Sequence, residues 1–124
     1  MKDEESKGGW LKLYQSFLRW EWYTDVNTKT VFLHCLLRAN WTDGRFMGVE
    51  IPAGSFATSY RNMAKETGLT VDQCRTAIKH LKSTHEITSQ AYHDFSVITV
   101  VKWQDFQGES QAKSQASPKQ VPTI

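Results

Sequence analysis

Residues 59–81 read SYRNMAKETGLTVDQCRTAIKHL, and two helices with a break between them account for the pattern. Ser59 is a side-chain cap for a first helix running to Thr67, in which Met63 and Ala64 face inward. The small Ala64 lets a second helix approach closely. Gly68 stands where the chain needs a left-handed residue, a conformation others adopt at a cost. Leu69 fills the core between the helices. Thr70 then opens the second helix with Gln73 three residues later, the spacing of a capping box. Cys74, Ile78 and Leu81 follow at i, i+4 and i+7 and bury one stripe. The opposite face carries Asp72, Gln73, Arg75, Thr76, Lys79 and Lys82 or Ser83. Such a face, short and polar at first and basic further along, suits a DNA major groove.

Charge points the same way. Residues 59–85 hold Arg61, Lys65, Arg75, Lys79 and Lys82 against only Glu66 and Asp72, a local net of +3 in a chain whose net charge is +2. A basic stripe on a near-neutral body is the electrostatic footprint of a DNA reader. The next two runs, Glu86 to Ala91 and Phe95 to Lys102, are rich in β-forming residues and flank a turn at His93-Asp94. That hairpin is the natural wing, with Gln90, Tyr92 and His93 at its tip. Helix, glycine, helix and hairpin together predict a winged helix-turn-helix.

Working outward, Trp10, Leu13, Tyr14, Phe17 and Leu18 fall at i, i+3, i+4, i+7 and i+8, so an additional N-terminal helix is expected up to about Arg19. Asp25 or Asn27 caps a second helix reaching about Asn40, apolar nearly all round and therefore central. After the turn at Asp43-Gly44, Phe46, Val49, Ile51 and Phe56 flank Pro52-Ala53-Gly54, which reads as a short hairpin or arm. Trp103 and Phe106 pack back onto the body. The expected class is α+β, mostly helical, with the domain over residues 10–106. Residues 1–9 form a flexible N-terminus, and residues 107–124, rich in Gln, Ser, Lys and Pro, form a disordered tail.

The 124-residue chain has room for one domain, and its hydrophobic fraction of 40% can fill a core. Cys35 and Cys74 lie on apolar helix stripes outside any metal-binding spacing, so they read as reduced core thiols. His34, His80, His85 and His93 form no metal-ligand set. Gly44–Gly48 lacks the lysine and spacing of a phosphate loop. No catalytic site assembles, so neither an enzyme nor a cofactor is expected. No apolar run is long enough to span a membrane and the charged N-terminus is no secretory signal, which leaves a cytoplasmic location by elimination. Trp20 and Trp22 read either as core or as a dimer contact, since aromatics anchor interfaces.

The stretches GWLKLYQSFLRWEWYTDVNTKTVFLHCLLRAN, GSFATSYRNMAKETGLTVDQCRTAIKHLKST and SVITVVKW resemble the N-terminal domain of phage replisome-organiser and DnaD-like replication proteins. The similarity covers residues 8 to 106. It implies a winged-helix fold, binding at a replication origin, self-association through this domain and hand-over to a replicative helicase or helicase loader. Family members usually read STGEI where this chain has Ser83-Thr84-His85-Glu86-Ile87, and His in a left-handed turn costs on the order of 1 kcal/mol. Many relatives also carry a second helical domain beyond a linker, with which single-stranded DNA binding and helicase loading are associated.

The leading expectation is therefore double-stranded DNA binding in replication initiation. A transcription regulator of the same fold is one alternative, and a protein-interaction module using its tryptophan-rich face is another. The candidate DNA contacts are Ser59, Tyr60, Arg61, Lys65, Thr70, Gln73, Arg75, Thr76, Lys79, Lys82 and His93. Arg75 and Gln73 are expected on base edges with Thr76 beside them. Arg61, Lys65, Lys79 and Lys82 are expected on phosphates, with Tyr60 supporting the backbone contact. Trp10, Trp20 and Trp22 are the candidate oligomer interface.

Overall fold

Asp25 fixes where the first helix begins: its Oδ1 accepts from the Thr28 backbone N–H at 3.1 Å. In the computed structural model, which describes residues 9–108, helix α1 follows as Val26–Arg38. Thr28, Val31, Phe32, Cys35, Leu36 and Ala39 are buried along it, a stripe at helical spacing. The helix is not apolar all round in its packing, for Val26 and Leu37 are 64% and 71% exposed. One stripe is enough to seat it.

Helices α2 (Tyr60–Thr67) and α3 (Val71–Ser83) come next in the helical order. Strands β3 (Ser55–Thr58), β4 (Ile87–Ala91) and β5 (Ser96–Val100) form an antiparallel sheet in the order β3-β5-β4. Phe56 pairs with Ile98 and Ile87 with Val100 across that sheet. These four join Val31, Phe32, Cys35, Leu36, Met63, Cys74, Ile78 and Leu81 in one core. On the other side of the sheet Ser55 and Thr99 satisfy each other through their hydroxyls at 2.7 Å. The architecture is thus a small α+β domain of three α-helices and two antiparallel sheets.

Three expectations need correction. The N-terminal stretch is not an α-helix: only Gln15–Arg19 winds, as a 3₁₀ turn. Gly9 and Tyr14 supply no side-chain cap, and a short helix without a cap or a fully docked face is marginal. Its backbone has another partner instead. Leu11 bridges Gln107, and the Lys12 N–H donates to the Phe106 carbonyl at 2.8 Å. The 3₁₀ turn still delivers Phe17, which stacks on Trp20.

The second correction concerns the arm. Its turn is Met47-Gly48, joining β1 (Gly44–Phe46) to β2 (Val49–Ile51), and not Pro52–Gly54. Met47 and Gly48 have φ of 49° and 80°, the pair of left-handed residues that matches strand twist in a two-residue hairpin. The Pro52–Gly54 turn leads instead into β3, whose partner is β5. Third, Gln107 and Gly108 are buried parts of the domain and do not begin a tail. The expected flexible N-terminus, apart from Gly9, and the rest of the expected tail fall outside the described residues. Trp103 is buried and Phe106 meets Phe32 edge-on at 5.7 Å, so both pack back as expected.

Cys35 and Cys74 are both buried and free. Burial first, and the neighbouring Cys74 second, push the Cys35 thiol from 9.0 up to about 12. Burial also raises Cys74, against a partial lowering by its hydrogen bond with Thr67. Both therefore stay as unreactive thiols at neutral pH. Native protein should resist iodoacetamide at pH 8 and take up two labels once unfolded in urea, read by mass spectrometry. Because the unfolded chain loses the Cys35 proton first, that thiol's contribution to stability is lost as pH rises from 9.0 toward about 12. The strained turn gives a second expectation: Met47→Asn should stabilise the fold by roughly 0.5–1 kcal/mol, seen as a Tm higher by a few degrees.

Candidate nucleic-acid interface

The unit formed by α2 and α3 is set by its caps. The Ser59 hydroxyl accepts from the Asn62 N–H at 3.1 Å and starts α2. Gly68 ends it in the left-handed region at φ 82°, with its N–H on the Ala64 carbonyl. At the start of α3 the Thr70 hydroxyl accepts from the Gln73 N–H at 3.0 Å, while Gln73 Oε1 accepts from the Thr70 N–H at 2.9 Å. The expected capping box is complete. Three candidate contact residues, Ser59, Thr70 and Gln73, thus spend a polar atom each on helix ends, and Gln73 keeps only its amide N–H₂ for an outside partner.

Cys74, Ala77, Ile78 and Leu81 form the buried stripe of α3. Arg75, Thr76, Lys79 and Lys82 are consequently exposed. Arg75 does not swing freely: its guanidinium lies over the Tyr60 ring at 4.8 Å and pairs with Asp72 at 3.2 Å. Stacking of this kind pre-orients a planar fork that can meet a base edge or phosphate in two places at once. Tyr60 is the positioner, which gives it a role beside the contact first assigned to it.

The acids of this face are already occupied. Glu66 pairs with His34 at 3.0 Å and Arg38 at 3.4 Å, both from α1, and Asp72 pairs with Arg75. Among the described residues, Arg61, Lys65, Lys79 and Lys82 have no such partner. Pairing leaves the net charge unchanged but concentrates the unpaired positive charge of α2 and α3 on Arg61, Lys65, Lys79 and Lys82. Sequence reasoning missed the contributions of His34 and Arg38, because no local spacing announces a contact between α1 and α2.

The flank of α3 facing α1 is a built polar corner. His80 stacks on Trp22 with ring centres 4.4 Å apart, and its Nδ1 lies 2.8 Å from the Thr28 hydroxyl and 3.4 Å from Asp25. Trp22 Nε1 donates to the Thr84 hydroxyl at 3.0 Å, and Trp20 Nε1 to Glu86 at 2.8 Å. Trp20 also stacks against Phe32 at 4.8 Å. Two of the three tryptophans considered for an oligomer interface thus have intramolecular partners, and Trp10 is 51% exposed. Among the described residues no cluster of His, Cys, Asp or Glu could hold a metal, and no helix is long and apolar enough to cross a membrane.

His85 adopts φ 63°, so the chain leaves α3 through a left-handed residue although glycine is absent. The β4–β5 hairpin then projects with His93 and Asp94 at its turn, paired at 3.0 Å, and the His93 side chain is 95% exposed. Tyr92 stacks on Phe95 at 5.2 Å, and Phe46 from the arm meets Phe95 edge-on at 5.0 Å. The arm is a strut for the hairpin. No Lys or Arg lies between Ile87 and Val101, so the hairpin brings no permanent positive charge.

Residues with capping duties and residues with free charges should separate in the test tube. Thr70→Ala should lower stability by about 1 kcal/mol in urea denaturation. Arg61→Ala should leave it within roughly 0.5 kcal/mol, since it removes an exposed side chain with no cap or core role.

No family model matches the chain, and neither a curated protein nor a solved structure matches it at a significant level.

Proposed function

We propose that this chain is a winged helix-turn-helix domain that binds duplex DNA, with α3 in the major groove and the β4–β5 hairpin as its wing. The observation that carries the reading is the exposed face of α2 and α3. There Arg61, Lys65, Lys79 and Lys82 lack acidic partners among the described residues, and both acids of the segment are taken up. Free cations on two adjacent helices are what a phosphate backbone rewards through counterion release. The helix order with a sheet arranged β3-β5-β4 supports the fold assignment. Together with the resemblance to replisome-organiser and DnaD-like proteins, this favours a role in phage or prophage replication initiation.

In this reading Arg75, held by Tyr60, is the base-reading side chain, with Thr76 beside it and the Gln73 amide secondary. Lys79 and Lys82 continue along α3, while Arg61 and Lys65 approach the backbone from α2. The wing, which carries Asp94 at its turn and no Lys or Arg, lies on the duplex through Tyr92, His93 and Gln90 and contributes shape and hydrogen bonds.

Selection from a random duplex library, followed by titration at several salt concentrations, tests this directly. Lys79→Ala should reduce the slope of log affinity against log salt by about 1, uniformly across sequences. Arg75→Ala should weaken the selected site by about 1–3 kcal/mol and relax its sequence preference. Absence of duplex binding at low salt would overturn the proposal, and the genomic position of the selected site separates an origin from a promoter.

A further inference from the structure

A groove of about 680 Å³ lies between the N-terminal stretch and the segment after β5, beside the end of α3. Its volume is that of a ligand cleft. The aromatic part of its lining is Tyr14, Phe17, Trp20, Phe32 and Phe106. Leu13, Tyr14 and Val101, 49%, 65% and 48% exposed, extend the apolar lining outward. Such a concentration of uncovered apolar side chains marks an interaction site.

Lys12, Arg19 and Lys102 line the same groove. Among the described residues none of these three belongs to an ion pair. Two acids line it as well, but Glu86 is committed: one carboxylate oxygen accepts from Trp20 and the other from Thr84. Those donors are neutral and leave the Glu86 charge in place, so Lys12, Arg19 and Lys102 outnumber the two carboxylates by one and the groove's net positive charge around an apolar centre favours an acidic ligand.

We propose that this groove binds a short amphipathic segment of a partner protein. Leucine or aromatic side chains sit against the aromatic lining, and flanking Asp or Glu residues meet Lys12, Arg19 and Lys102. Aromatics and cations together also suit single-stranded nucleic acid, but the rings here are already turned toward one another. Phe17 stacks on Trp20 at 5.1 Å, Trp20 lies against Phe32 at 4.8 Å, and Phe106 meets Phe32 edge-on. Four of the five lining rings are thus engaged with one another and only Tyr14 is open to a base, whereas single-stranded nucleic acid is held by successive stacked rings. None of the groove residues is assigned to duplex DNA, so this inference stands apart from that reading.

The experiment is selection of a phage-displayed library of random dodecapeptides on the full chain, with the recovered peptide then synthesised for titration. Recovered peptides should combine Leu, Phe or Trp with Asp and Glu. Affinity for the synthetic peptide should drop about tenfold with Arg19→Glu combined with Lys102→Glu, two exposed positions outside the core. A version of that peptide with Lys in place of its acids should prefer the double variant. Recovery of no peptide, of peptides without acids, or of peptides indifferent to the double variant would overturn the proposal. So would binding of oligothymidylate, or concentration-dependent self-association, that the double variant abolishes in place of peptide binding, because each assigns the groove to a different occupant.

Discussion

The burial of one stripe of α3 is the constraint on which the rest of this molecule turns. Cys74, Ala77, Ile78 and Leu81 are 0–2% exposed, and they are seated against α1, α2 and the sheet within a single core. A helix cannot bury that stripe without committing the residues half a turn away to solvent. Arg75, Thr76, Lys79 and Lys82 are exposed for the same geometric reason that Leu81 is not. The caps make the commitment firm. A register slip along the helix would open the Thr70–Gln73 box and expose apolar side chains worth about 1.5–3 kcal/mol each.

Electrostatics adds a layer that composition conceals. Glu66 and Asp72 could together have paired with only two of the five cations of α2 and α3. Glu66 is drawn instead toward His34 and Arg38 on α1, and Asp72 serves to position Arg75. These exposed pairs are each worth little to stability, about 0–1 kcal/mol. Their effect lies in where they put the remaining charge.

The local rules made much of this legible. Ser59, Gly68, Thr70 with Gln73, and the spacing of Cys74, Ile78 and Leu81 each act within a few residues, and each is found as read. At His85 only the cost of a left-handed turn was readable, and the chain adopts that turn all the same. The failures have two physical origins, a non-local partner in the N-terminal stretch and a local strand pairing that overrides residue preference in the arm. Trp10 to Leu18 has a helical period, yet the Lys12 N–H is claimed by a carbonyl nearly a hundred residues away in sequence. Met47-Gly48 makes the arm's turn although methionine is a poor left-handed residue, because the strands on either side pair. At the candidate site the spacing gave the exposed face of α3 and its capping box, but neither the stacking of Arg75 on Tyr60 nor the pairing of Glu66 with α1 was legible, because each joins one helix to another.

The bridge between Leu11 and Gln107 has a consequence of its own. Antiparallel pairing at that point brings the start and end of the described fold side by side. Chain enters and leaves through a single doorway, as in domains that can be spliced into a loop of a host protein without disturbing either fold. Gly108 completes that doorway: a Cβ there would sit 2.2 Å from the Trp10 carbonyl oxygen. Anything fused upstream would therefore emerge next to anything fused downstream, and both would share one anchor point on the body rather than straddle it.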